Sequence, residues 1–225
     1  MELTPRDIQI LKLVGTFTQL SSLHLSELLF SDRSHSVPNT VMRRLVRLGY
    51  LARVGRRAHG DKGGTSAYVY QLGRYGRALL EVESRPSVVV SDHALMIADT
   101  YLELRRAEKA GVLVVKRWEV ELPVPPVRAD LFTVLDFPAQ QRTASYFLEI
   151  DLGTERPVRI VEKIAGYWRA AESSQEEYFP YVVFVVKQEG RKAEMGRIIR
   201  KLPAPQQEMV KVVHIRELIP QLLQI

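Results

Sequence analysis

The stretch Tyr146-Phe147-Leu148-Glu149-Ile150-Asp151-Leu152 sets two carboxylates among apolar side chains. As a strand it places Phe147, Glu149 and Asp151 on one face and Leu148, Ile150 and Leu152 on the other. Two carboxylates two residues apart on one face repel, which is tolerated at an exposed edge or where a cation sits. Asp130, near the start of the preceding predicted strand, could lie opposite them. Acidic oxygens converging from neighbouring strands suit Mg²⁺ or Mn²⁺, ions that clamp a phosphodiester and activate water.

Ser91 or Asp92 caps a predicted helix that runs to about Ala110. Strands are expected at Val112–Glu121, Val127–Leu135 and Ser145–Leu152, with a hairpin-length loop at 136–143. Pro157 starts a helix to about Ala171, followed by a strand at Tyr181–Lys187, a helix at Lys192–Leu202 and a strand at Met209–Ile215. The order is αβββαβ plus a tail.

Upstream the pattern changes. Thr4 followed by Pro5 reads as an N-cap with proline at the first helical position, and Ile8, Leu11, Val14 and Phe17 continue a helix over about 5–18. Ser22 precedes a short second helix ending near Phe30. After the polar turn 31–36, a third helix holds Pro38, Thr40, Val41, Leu45, Val46 and Leu48 and is closed by Gly49, with Val41, Leu45 and Leu48 facing the core. Strands at 50–54 and 67–72, joined by a Gly-rich charged connection, and a helix at about Arg74–Glu83 complete a winged helix-turn-helix. The segment Glu83-Ser-Arg-Pro-Ser87 breaks the periodicity. The expected division is therefore 1–83, a linker at 84–90, and 91–225.

Composition narrows the function classes. The 225 residues contain no cysteine, which excludes disulfides, thiolate nucleophiles and Cys-based zinc sites. The histidines at 24, 35, 59, 93 and 214 stand at no metal-pair spacing. His35 and His59 read as surface polar residues and His93 as a packed or capping one. Trp118, Tyr167 and Trp168 read as core or interface. No apolar run reaches a membrane span and no secretory leader is seen, so a cytoplasmic protein without membrane contact is expected.

The net charge of +6 is unevenly placed. Residues 33–77 hold ten basic side chains against Asp61 alone, a local charge of +9. In a winged helix the third helix enters the major groove, so Ser36, Asn39, Thr40, Arg43, Arg44 and Arg47 are the candidates to reach base edges. Arg56, Arg57, His59 and Lys62 on the wing would reach phosphates or the minor groove of double-stranded DNA. The alternative is a solvated basic face.

The set Asp130 … Glu149-Ile-Asp151 within this element order resembles the PD-(D/E)xK nuclease superfamily. Where those nucleases usually keep a lysine, this chain has Asp151, and Ala129 stands where proline is common. Lys163 on the next helix, with Tyr167 one turn on, is a candidate replacement. The resemblance implies Asp130, Glu149, Asp151 and Lys163 as catalytic residues, the three acids holding Mg²⁺ or Mn²⁺ if the site is active.

Taken whole, the chain resembles the replication-relaxation family of plasmid and mobile-element proteins. The resemblance rests on Leu3-Thr-Pro-Arg-Asp-Ile-Gln-Ile-Leu11, Arg44-Leu-Val-Arg-Leu-Gly-Tyr-Leu51, Asp92-His-Ala-Leu95, Arg128-Ala-Asp130, Phe147-Leu-Glu-Ile-Asp-Leu-Gly-Thr-Glu155 and Lys163-Ile-Ala-Gly-Tyr167. It implies an α+β protein, a winged helix-turn-helix followed by a nuclease-like α/β domain, acting on DNA in replication, relaxation or their regulation. It leaves cleavage open. Three readings stand at this point: a DNA-binding protein, a metal-dependent endonuclease, and a regulator whose second domain forms a homodimer or binds a partner. For the acidic residues the alternative to a metal site is a solvent-facing strand with Lys163 and Arg159 as surface ion-pair partners, or a vestigial or ligand-binding site.

Overall fold

Thr4 and Asp7 open the first helix by exchanging hydrogen bonds. The Thr4 hydroxyl accepts from the Asp7 amide at 3.2 Å, and the Asp7 carboxylate accepts from the Thr4 amide at 2.9 Å. This capping box satisfies donors that a helix otherwise leaves orphaned. The computed structural model describes residues 2–31, 33–34, 36–57, 66–83 and 85–225, and the chain divides into two units, Met1–Leu102 and Glu103–Ile225.

The first unit runs α1 (Pro5–Phe17), β1 (Leu20–Ser21), α2 (Ser22–Leu29), α3 (Ser36–Arg47), β2 (Leu51–Arg57), β3 (Ala67–Leu72), α4 (Arg74–Leu79) and the start of α5 (Asp92–Lys109). Its strands form an antiparallel sheet of order β1-β3-β2. Gly49, at φ 73°, turns the chain from α3 into β2, a left-handed conformation that favours glycine. Ile10, Leu11, Val14, Phe17, Leu25, Met42, Leu45 and Val69 are buried together. On α3 the buried stripe is Pro38, Met42 and Leu45, not the expected Val41, Leu45 and Leu48. The first-turn proline ring joins the apolar face and rotates the stripe.

Residues of the expected 84–90 linker are tied to this unit by side chains distant in sequence. Gln71 bonds both ways with the Ser87 backbone at 2.9 Å, and Gln19 donates to the Val89 carbonyl at 3.0 Å. The Ser91 hydroxyl accepts from Ala94 N–H at 3.2 Å, the cap expected there.

The second unit continues with β4 (Val114–Val124), β5 (Val127–Phe137), a 3₁₀ turn (Pro138–Gln140), β6 (Arg142–Asp151), α6 (Pro157–Ser173) and β7 (Tyr181–Val186). It ends with α7 (Glu189–Ile199), α8 (Ala204–Met209), β8 (Val210–His214), a 3₁₀ turn (Ile215–Glu217) and α9 (Leu218–Leu222). The sheet order is β4-β5-β6-β7-β8, antiparallel from β4 to β6 and parallel from β6 to β8. Half of the loop expected at 136–143 is strand, because β5 and β6 stay paired to Phe137↔Arg142.

β6 is the middle strand and is buried on both faces from Tyr146 to Asp151. Phe147 packs with Ile160, Ile164 and Tyr167 of α6 and with Met195 and Ile199 of α7 in one core. The strand face carrying Glu149 and Asp151 is thus the face those helices cover. Gly166 lets α6 come close to β5, since a Cβ there would lie 2.3 Å from Val127 Cγ1.

Candidate functional site

Glu149 is fully buried at the centre of the sheet. The helical spacing of α6 places Lys163 and Tyr167 one turn apart on the stripe that meets it. Lys163 Nζ donates to Glu149 Oε2 at 2.5 Å, and the Tyr167 hydroxyl donates to Glu149 Oε1. Tyr167 is fixed by stacking on Phe147, with ring centroids 5.3 Å apart. It was expected as core or interface; it is core, with its hydroxyl bound to the central acid.

Asp130 lies on β5 just past the Leu131–Leu148 pair, also buried, and its Oδ2 accepts from the Ile150 amide at 2.7 Å. Burial, with the nearby Asp130 charge adding to it, pushes the Glu149 carboxyl up to about 8 despite Lys163. Burial works against the Lys163 charge, but Glu149 and Asp130 outweigh it and raise its pKa. Burial and then Glu149 raise the Tyr167 phenol, so it stays a proton donor.

Asp151 shares the strand face but has a different partner. Arg191 of α7 donates from Nε to Asp151 Oδ1 and from Nη2 to Oδ2, each at 2.8 Å, and Nη2 also reaches the Glu155 carbonyl at 2.8 Å. The hydrogen bond to Asp151 is the main cause holding the Arg191 guanidinium pKa above its usual range. Asp151 also accepts from the Gly153 amide at 2.7 Å, closing the turn after β6.

The alternative of a solvent-facing acidic strand is overturned, because Glu149 and Asp151 are 0% and 3% exposed. Arg159, expected as a partner, pairs instead with Glu162 at 2.8 Å on the surface of α6. A central strand covered by helices on this face buries its carboxylates, so each takes a protein donor. The structure therefore brings Asp130, Glu149 and Lys163 into one cluster and gives Asp151 to Arg191. Carboxylates on adjacent strands are the hard oxygen donors that Mg²⁺ or Mn²⁺ takes, one or two at a time with water completing the shell, so Asp130 and Glu149 fit such an ion. Arg191 had no sequence signal beyond lying near a predicted helix start.

In the first unit, Ser36, Asn39, Thr40, Arg43 and Arg47 all lie exposed on α3, away from the buried stripe. Arg44 differs: it pairs with the buried Asp7 of α1, and its Nε is buried without a hydrogen-bond partner. Arg57 forks onto Asp99 of α5, Nη1 to Oδ1 at 3.1 Å and Nη2 to Oδ2 at 2.8 Å. His24 joins them: Nδ1 accepts from the Ser21 amide at 3.3 Å, so Nε2 donates to Asp99 at 2.9 Å. Arg56 lies over the Tyr68 ring and donates to its hydroxyl at 2.5 Å. Arg53, which no sequence motif marked, lies over the same ring. His35, His59 and Lys62 lie outside the described residues.

Among the described residues no helix is long and apolar enough to cross a membrane. No curated protein matches the chain. A family model described as replication-relaxation matches residues 11–182, more than half of the chain.

Proposed function

The chain belongs to the replication-relaxation family, and from that membership and the surface of α3 we propose that it binds duplex DNA during replication or relaxation of a mobile element. The first unit is read as a winged helix, with α3 as the recognition helix and β2–β3 as the stem of the wing. The carrying observation is the division of α3: Pro38, Met42 and Leu45 are buried while Ser36, Asn39, Thr40, Arg43 and Arg47 form one exposed polar stripe. Asn39 and Arg43 are side chains that pair bidentately with adenine and guanine edges. Arg56 and Lys62 supply phosphate contacts, while Arg44 and Arg57, both held by buried or half-buried aspartates, position the helix and the wing. A gel-shift series with duplex DNA across salt concentration tests this. Binding that weakens steeply with salt is expected, and no binding at low salt would remove the reading.

A second reading, metal-dependent phosphodiester cleavage on a PD-(D/E)xK-like scaffold, is favoured by one observation: Lys163 touches Glu149 beside Asp130. Asp130 and Glu149 would hold Mg²⁺ or Mn²⁺, which supplies Lewis-acid polarisation of a phosphodiester when bound. Lys163 would steady developing negative charge, Tyr167 would hold Glu149 in place, and Asp151 would contribute through the turn it fixes with Arg191. Supercoiled and linear DNA incubated with each ion should be cut by the parent and not by Glu149→Gln. Equal cutting by both would reject this site.

A further inference from the structure

Arg53 and Arg56 are three residues apart on β2, so a regular strand would send them to opposite faces. They face the same way because the β2–β3 ladder slips. Arg53 pairs with Tyr70, Gly55 with Val69 and Arg56 with Tyr68, which leaves Val54 as one extra residue. Such a bulge inverts side-chain parity beyond it and re-aims the downstream side chains. Here it brings both guanidiniums over Tyr68, 4.3 and 4.2 Å from the ring centroid. Each cation gains from the ring, but two like charges on one ring repel, and an anion between them would relieve that repulsion.

These side chains line a groove of about 490 Å³ that also takes in Asn39 and Arg43 of α3, and none of the described residues lining it is acidic. We propose that the groove is a backbone clamp, in which Arg53 and Arg56 hold successive phosphates of the DNA strand whose bases face α3. The proposal rests on the DNA-binding reading and adds to it Arg53 as a contact and Tyr68 as the residue that orients both cations. The occupant is a DNA strand because Asn39 and Arg43 belong to both surfaces: a backbone lying in the groove puts its bases against α3. Guanidiniums preset on a ring lose less side-chain freedom on binding than free ones do.

The full chain and variants with unchanged melting temperature are titrated against one fluorescent duplex over a salt series. Arg53→Gln and Arg56→Gln should each make the slope of log affinity on log salt shallower by about 0.9, and the double variant by about twice that. Lys12→Gln, an equal charge loss on the exposed side of α1, should leave the slope unchanged. Tyr68→Leu keeps every charge yet should weaken binding. A slope in Arg53→Gln no different from that in Lys12→Gln, or full affinity in Tyr68→Leu, overturns the clamp while DNA binding by α3 stands. A parent chain that does not bind duplex at all overturns both.

Discussion

Arg191 grips both oxygens of Asp151, Nε on one and Nη2 on the other, across forty residues of chain. Both partners are almost wholly buried. Removing the guanidinium alone, as in Arg191→Leu, strands a buried carboxylate and should cost about 3–5 kcal/mol in urea unfolding. Removing both charges together, in Asp151→Leu with Arg191→Leu, should cost less than the two single losses summed. An Asp151→Asn variant that keeps its stability but loses Mn²⁺ binding would instead make Asp151 a metal ligand.

Glu149 carries a pH signature. Its carboxyl sits at about 8 in the fold against 4.5 for the ordinary group, so the folded chain holds a proton that the unfolded chain has released. Stability through this group is greatest below 4.5 and falls as pH rises, reaching its floor above about 8. Chemical denaturation across that window should show the decline in the parent and a flatter profile in Glu149→Gln. Identical profiles would contradict a protonated Glu149.

Gly166→Ala probes the approach of α6 to the sheet. The new Cβ would meet Val127 Cγ1 at 2.3 Å, so the helix or Val127 must shift. Overpacking of this kind costs about 1–3 kcal/mol, and Val127→Ala in the same chain should recover part of it. Thermal unfolding of the single and double variants measures both. A neutral Gly166→Ala would mean that the helix can retreat without loss.

The arginines of the first unit should separate into two groups. Arg43→Ala and Arg47→Ala are expected to leave stability within about 0.5 kcal/mol, and Arg43→Ala to relax discrimination between duplex sequences by about 1–3 kcal/mol. Arg44→Ala should destabilise the fold by about 3 kcal/mol by stranding the buried Asp7. Arg57→Ala should loosen the contact of β2 with Asp99 and lower the melting temperature. Paired melting and competition-binding measurements check the separation. Sequence discrimination unchanged in Arg43→Ala, with Arg44→Ala as stable as the parent, would reverse these assignments.

Helices and central strands were legible because apolar periodicity and caps are local. Thr4-Pro5, the Gly49 stop and Pro157 mark element ends that the structure reproduces. Strand parity marked Glu149 and Asp151 as one face, while Asp130 and Lys163 were singled out with the help of the resemblance to the nuclease superfamily. What escaped depends on partners far along the chain. The Arg191 fork and the ties of Ser87 and Val89 to Gln71 and Gln19 are side-chain bonds spanning 16 to 70 residues. The Val54 bulge is a property of the β2–β3 ladder and not of β2, so alternation alone assigns Arg53 and Arg56 to opposite faces. The burial of Glu149 and Asp151 was equally hidden. It follows from β6 being the middle strand, which only sheet order reveals.

The bulge at Val54 also lets β2 carry one residue more than its partner strand without disturbing the basic groove. Without that residue Arg53 and Arg56 would stand two apart on a regular strand, still opposite Tyr70 and Tyr68 and still on one side. A ladder that kept Val54 but paired it regularly would part the two guanidiniums, a change that leaves net charge untouched and that comparison of arginine content alone would never register.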